Sequence, residues 1–157
     1  MVNGLIEYGY DQNGNTVRDD NKAIGSISYN ELNKMEEILF SDGRRIVFKY
    51  ASDGSKLSKS VYHSGQTVPF KTLDYVDGFI YENNALSFFG MPEGRVRATG
   101  SSLAYEYFIK DHQGNVRVSF EAHTANGITS ARLTQENHYY TFGLSIKGAA
   151  IKTILTT

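Results

Sequence analysis

The chain has 157 residues, enough for a single domain that would bury about 70% of the surface its unfolded form exposes. Sixteen basic residues nearly cancel seventeen acidic ones, so no field that would steer nucleic acid or anionic lipid is expected. With 40% hydrophobic and 21% charged residues, no cysteine and no long apolar run, the composition excludes a membrane-spanning helix, a disordered chain, disulfides and thiolate metal sites.

Residues 1–10 hold no basic segment followed by an apolar stretch, so no secretory signal is read there. From residue 11 onward, reversals recur with a Gly after a polar residue. They are Asp11-Gln12-Asn13-Gly14-Asn15, Ser41-Asp42-Gly43-Arg44, Ser52-Asp53-Gly54-Ser55, His63-Ser64-Gly65-Gln66, Asp111-His112-Gln113-Gly114-Asn115 and Ala125-Asn126-Gly127. Such pairs supply the positive φ angles that tight hairpins demand. Gly43, Gly54 and Gly65 fall 11 residues apart, one short strand plus one turn.

One segment argues for a helix: Asn30 is placed to cap residues 31–40, with Leu32, Met35 and Leu39 at helical spacing. The competing reading is a polar loop between two strands, 24–29 and 37–40. Further on, Ile46, Phe48 and Tyr50 share one face of a strand and Arg45, Val47 and Lys49 the other. Met91-Pro92-Glu93-Gly94-Arg95 reads as a loop with solvated charges. Tyr105, Tyr107 and Ile109 oppose a mixed face of Glu106, Phe108 and Lys110, which suits a strand covered on both sides. Val116, Val118, Phe120 and Ala122 alternate with Arg117, Ser119 and Glu121, whose polar face is expected to be solvated. The tail, residues 146–157, reads as an edge strand or a frayed end. The fold class is therefore all-β: consecutive antiparallel hairpins in a twisted strip of sheet, with at most one short helical turn, in a single domain over 1–157.

Tyrosine followed by Asp or Asn opens units at a spacing of roughly 20 residues, Tyr10-Asp11, Tyr29-Asn30 and then Tyr50, with the Gly14-Asn15 and Asp53-Gly54 turns downstream. In this the chain resembles the RHS or YD-repeat family of bacterial surface and toxin-delivery proteins. The run Tyr107-Phe108-Ile109-Lys110-Asp111-His112-Gln113-Gly114-Asn115-Val116-Arg117 is similar to the Asp-His-Leu-Gly-Asn-Val-Arg signature of the RHS-associated core. Tyr75-Val76-Asp77-Gly78-Phe79-Ile80-Tyr81 and Tyr139-Tyr140-Thr141-Phe142-Gly143 resemble two further core elements. On this likeness residues 8–73 are repeat-like hairpins and 74–145 carry the core signatures. The departures are Ala51 in place of Asp, Gln113 in place of leucine and Thr141 in place of proline. The family's Asp-Pro-rich cleavage boundary and toxin end are not in the chain, so the resemblance implies a fragment or truncated member.

What the resemblance implies is a non-enzymatic structural module, part of a secreted or surface-displayed β shell that encloses a toxic domain. The signature residues are then Tyr10, Asp11, Gly14, Asn15, Tyr50, Gly54, Asp111, Gly114, Asn115, Arg117, Tyr140 and Gly143. Hairpins of this kind gain stability by stacking, and cut ends invite pairing, so self-association or a sheet curled to hide its edges is expected. The alternative is a surface that binds carbohydrate or protein through exposed tyrosines, with Tyr81, Tyr105 and Tyr107 as the platform. A small all-β hydrolase is a second alternative, drawing carboxylates from Glu82, Glu93, Glu106 and Asp111. Asp111-His112 has the residue types of a base and its orienter, but neighbours in a strand point apart and no nucleophile accompanies them. His63, His112, His123 and His138 do not fall at spacings that put two metal ligands on one face. No catalytic residue, cofactor, metal, nucleic acid or membrane insertion is expected.

Overall fold

The computed structural model describes residues 7–146. Most of the tail read at 146–157 lies outside the described residues, as do residues 1–6. Every strand pairing is antiparallel, and helical structure among the described residues is confined to two single 3-10 turns, Asp20–Lys22 and Thr141–Gly143. The all-β class therefore holds.

The chain divides into two compact units, Met1–Leu86 and Ser87–Thr157. The first holds β1 (Tyr8–Tyr10), β2 (Thr16–Asp19), β3 (Ile24–Tyr29), β4 (Met35–Phe40), β5 (Arg45–Tyr50), β6 (Lys56–Tyr62), β7 (Lys71–Val76) and β8 (Phe79–Glu82). β9 (Ala85–Met91) crosses the division, and the second unit continues with β10 (Gly94–Thr99), β11 (Ser102–Lys110), β12 (Val116–Ala125) and β13 (Ile128–Glu136). Within each unit a strand hydrogen-bonds to the strands just before and after it in sequence.

Turn chemistry sets this order. Six reversals share one pattern: the first residue's N–H donates to the fifth residue's C=O, and the fourth residue's N–H donates back to the first residue's C=O. They begin at Asp11, Asn30, Phe40, Ala51, Asp111 and Tyr140. In the first five the two central residues keep negative φ, as in a type I turn closed by a left-handed residue, whereas at Tyr140 the third residue, Phe142, also has positive φ, as in a type II turn. The fourth residue has positive φ in all six, and it is Gly everywhere but at Asn33. Two-residue turns at Asp77-Gly78, Asn83-Asn84 and Asn126-Gly127 have positive φ at both residues, the type I′ geometry.

The helix weighed at 31–40 is absent. Asn30 Oδ1 accepts from the N–H groups of Leu32 and Lys34, closing a turn, and the chain then extends into β4. The loop-and-strand reading is the one that holds, with the strand beginning two residues earlier than expected. An Asn side chain that accepts an N–H two residues on serves a turn as well as a helix cap, so the local signal was ambiguous.

Among the described residues, Ile24 and Val96 are the only apolar side chains that are buried. Stability therefore rests on backbone ladders and cross-strand pairs more than on a deep core. Two glycines show different constraints. Gly114 has φ of +83° with open space around the missing side chain, whereas a Cβ on Gly94 would lie 2.0 Å from the Glu106 main-chain oxygen. Gly114→Ala is expected to cost about 1 kcal/mol through backbone strain alone. Gly94→Ala should cost clearly more, because strand β11 must move, and Gly90→Ala, with nothing within 4 Å, should be nearly silent. Urea midpoints of the three variants check that order.

Candidate functional site

Two constellations stand out, one built on turns and one on strand faces. At the turns, Asp11 Oδ1 accepts from the N–H groups of Asn13 and Asn15 at 2.9 and 2.8 Å, and Asn15 Nδ2 donates to Asp11 Oδ2 at 2.9 Å. Asp111 repeats the arrangement with Gln113, Asn115 and the Asn115 amide. Asp42 and Asp53, two positions later in their turns, each accept from the N–H two residues on. Bonding to the charged form lowers a carboxyl pKa. The Asn15 amide and the turn's N–H groups hold Asp11 below its ordinary range. At Asp111 desolvation pushes the carboxyl up, but the bonds from Asn115 and Gln113 outweigh it.

The tyrosine that precedes the turn performs a second task. Tyr29 Oη donates to the Thr16 C=O at 2.8 Å, and Tyr50 Oη donates to the Met35 C=O at 2.9 Å. Tyr139 Oη donates to the Val116 C=O at 3.0 Å. Tyr29 and Tyr50 each close a strand, Tyr139 lies in an isolated bridge beyond β13, and each acceptor opens the strand that follows an earlier five-residue turn. The phenol is a peg that fixes one hairpin against the one before. Asn15 Nδ2 adds a 2.6 Å bond to Asn33 Oδ1, tying two of these turns directly. Shallow depressions flank Tyr29, one lined by Asn30, Glu31, Leu32 and Glu36 and the other reaching Lys34 and Tyr50.

Of the remaining signature residues, Gly54 and Gly14 take the left-handed position of their turns, as do Gly114 and Gly143. A Cβ on Gly143 would lie 3.3 Å from Asn115 Oδ1, so the Tyr140 turn sits against the Asp111 turn. The Arg117 guanidinium lies 5.7 Å from the centre of the Tyr139 ring. Tyr105 and Tyr107 are exposed and share a face of β11, where Tyr107 stacks on Phe120 at 5.6 Å. Tyr81 lies on β8, in the first unit.

The second constellation was not read from the sequence. Register places Arg95 opposite Glu106, Glu106 opposite Glu121, and Glu121 opposite Arg132, a row across β10, β11, β12 and β13. Arg95 Nε donates to Glu106 and Arg132 Nη2 donates to Glu121. Arg97 lies between, 2.8 Å from Glu121 and 3.5 Å from Glu106, and Thr134 Oγ1 donates to Glu106 at 2.6 Å. Glu106 is 2% exposed, Ser119 2% and Glu121 6%, whereas Tyr105, Tyr107 and Ile109 on the other face of β11 are open. The polar face of β12 expected to be solvated is thus buried around Ser119 and Glu121, and the charge of Arg95 expected in solvent is paired. Arginine stems and guanidinium planes make this possible: Arg95 lies 5.4 Å from the Phe88 ring centre and 5.9 Å from that of Phe108, covering the carboxylates.

Burial pushes the Glu106 carboxyl up, but Thr134, Arg95 and Arg97 together hold it below its usual range. The same partners favour its ionised form. The histidines are spread out: His63 stacks on Phe70 at 4.0 Å, and His138 Nε2 lies 3.2 Å from Glu136. Among the described residues no three His, Asp or Glu side chains gather as a metal site would require.

No family model matches the chain, and no curated protein matches it.

Two measurements test the energetics. Arg97→Met is expected to lower stability by about 2 kcal/mol, since Glu106 and Glu121 then face each other with one cation fewer. Adding Glu121→Gln should recover part of that loss, which a double-mutant cycle reads as non-additivity. The second is pH. The carboxyls of Asp11, Asp42, Asp53, Asp111 and Glu106 all have folded pKa values below their ordinary ones, 3.8 for Asp and 4.5 for Glu. Their contribution is fully present above those values and is lost as pH falls through the lowered ones. The urea midpoint should hold above pH 4.5 and drop below 3.8.

Proposed function

We propose that the chain is a non-enzymatic structural module of the RHS type, a run of pegged hairpins that contributes to a secreted or surface-displayed β shell used in toxin encapsulation and delivery. The observation that carries this reading is the tyrosine hydroxyl bonded to the carbonyl of the preceding hairpin at Tyr29, Tyr50 and Tyr139. Tyr29 and Tyr50 stand at the Tyr-Asp-like positions through which the sequence resembles YD repeats. Asp11 and Asn30, in the Asp position of the dipeptide, cap their own turns. The dipeptide thus divides into a link to the neighbour and a lock on the reversal, both structural tasks. Arg95, Arg97, Glu106, Glu121 and Arg132 of the second unit are held in ion pairs with one another, which suits the same role.

The exposed pair Tyr105 and Tyr107 favours a second reading, a carbohydrate-binding surface. Tyr29→Phe and Tyr50→Phe keep the ring and remove the bond, so the structural reading expects each to cost about 1 kcal/mol in urea unfolding. Phenylalanine variants as stable as the parent would overturn it. A glycan that binds the parent and loses affinity in Tyr105→Ala with the melting temperature unchanged would favour the second reading. The parent role is tested by the flanking coding sequence, where further tyrosine-Asx turns upstream and a toxin domain downstream are expected.

A further inference from the structure

Among the described residues the peg rule leaves one donor and one acceptor without a partner. Tyr10 closes β1 in front of the turn that begins at Asp11, the same place that Tyr29 and Tyr50 hold before theirs. Among the described residues its hydroxyl has no hydrogen-bond partner, and the residue is 61% exposed. At the other end of the described chain, Ser145 follows the turn that begins at Tyr140, as Thr16 follows the Asp11 turn. Tyr140 N–H donates to the Leu144 C=O and Ile146 N–H donates to the His138 C=O, so Tyr139 and Ser145 form a non-hydrogen-bonded pair, and on the strand after the turn it is Ser145 whose own N–H and C=O point outward. Thr16 in that position gives its C=O to Tyr29. Among the described residues the Ser145 C=O receives no such bond.

Both ends also carry open apolar surface. Tyr8 and Tyr10 lie on one face of β1, their rings 6.5 Å apart, and Tyr140, Phe142, Leu144 and Ile146 are exposed around the last turn. Phe142 is 94% exposed and has φ of +72°, a conformation that costs a bulky side chain energy. Exposed rings on a free edge are a liability unless something covers them.

We propose that a second copy of this chain covers each end: β1 of one copy adds to the outward edge at residues 144–146 of another, and Tyr10 Oη donates to the Ser145 C=O. The contact continues the hairpin-to-hairpin interface already made inside the chain, with the same donor, the same acceptor position and no new chemistry. It joins two different surfaces, so it is heterologous and leaves each new assembly with one free end of each kind. Association is therefore open-ended, stopping only if the geometry closes into a ring. The inference rests on the hairpin-module reading above but can fail separately from it.

Sedimentation velocity of the full chain over a wide concentration range tests it. The weight-average mass is expected to climb past that of a dimer as concentration rises. Tyr10→Phe should weaken association roughly three- to tenfold, the effect of one hydrogen bond, with the melting temperature unchanged because that hydroxyl has no partner among the described residues. Tyr29→Phe should do the reverse, lowering the melting temperature and leaving the association constant as it was. A strictly monomeric protein, a species that stops at a dimer, or a Tyr10→Phe variant that assembles like the parent overturns the proposal. A monomeric parent together with a destabilised Tyr29→Phe overturns the head-to-tail contact alone and leaves the module reading standing.

Discussion

Lateral hydrogen bonding between strands that are neighbours in sequence is the constraint from which the other features follow. A sheet with so few fully buried apolar side chains gains little from desolvating a core, so each strand must be held in register by what lies beside it. The five-residue turns fix how a strand reverses, and the Asx side chains satisfy the N–H groups that the reversal leaves over. The tyrosine pegs then fix where the next hairpin sits, because a phenol reaching one carbonyl tolerates no slip by a residue.

The second unit uses a different device. There the cross-strand row of Arg95, Glu106, Glu121 and Arg132, with Arg97 bridging the two carboxylates, occupies the covered face. Two glutamates directly opposite each other would repel, so the row is stable only because three guanidinium groups surround them. Arg97 Nε is buried without a hydrogen-bond partner, although it lies 3.5 Å from a Glu106 oxygen. The bridging arginine cannot satisfy every donor while serving two acids. Charge pairing of this kind is specific to register in a way that apolar contact is not.

Much of the fold was legible because the residues that make these turns have few alternatives. Gly14, Gly43, Gly54 and Gly114 each take the left-handed position, and Asp or Asn before or within the turn marks it further. Legibility failed where one residue type serves two purposes. Asn30 and Asn33 build a glycine-free turn, and Asn30 looked equally like a helix cap. It failed again where the answer depends on partners distant in sequence. That Glu106 and Glu121 are buried follows from the pairing of four strands and from Arg95 lying between Phe88 and Phe108, none of which alternation within a single strand reveals. The pegs lie between these cases: the recurring tyrosine ahead of each turn was visible, but the carbonyl it reaches is 13 residues back for Tyr29 and 15 for Tyr50.

Pairing between consecutive strands has a kinetic meaning as well. Within a unit, no strand waits for a distant segment to arrive, so loop closure is short at every step and contact order stays low for an all-β chain. Folding can begin at any hairpin and spread to the next. The same arrangement lets a gene gain or lose a hairpin by duplication or deletion without rethreading the remainder, so chain length becomes a quantity that evolution can adjust in whole units.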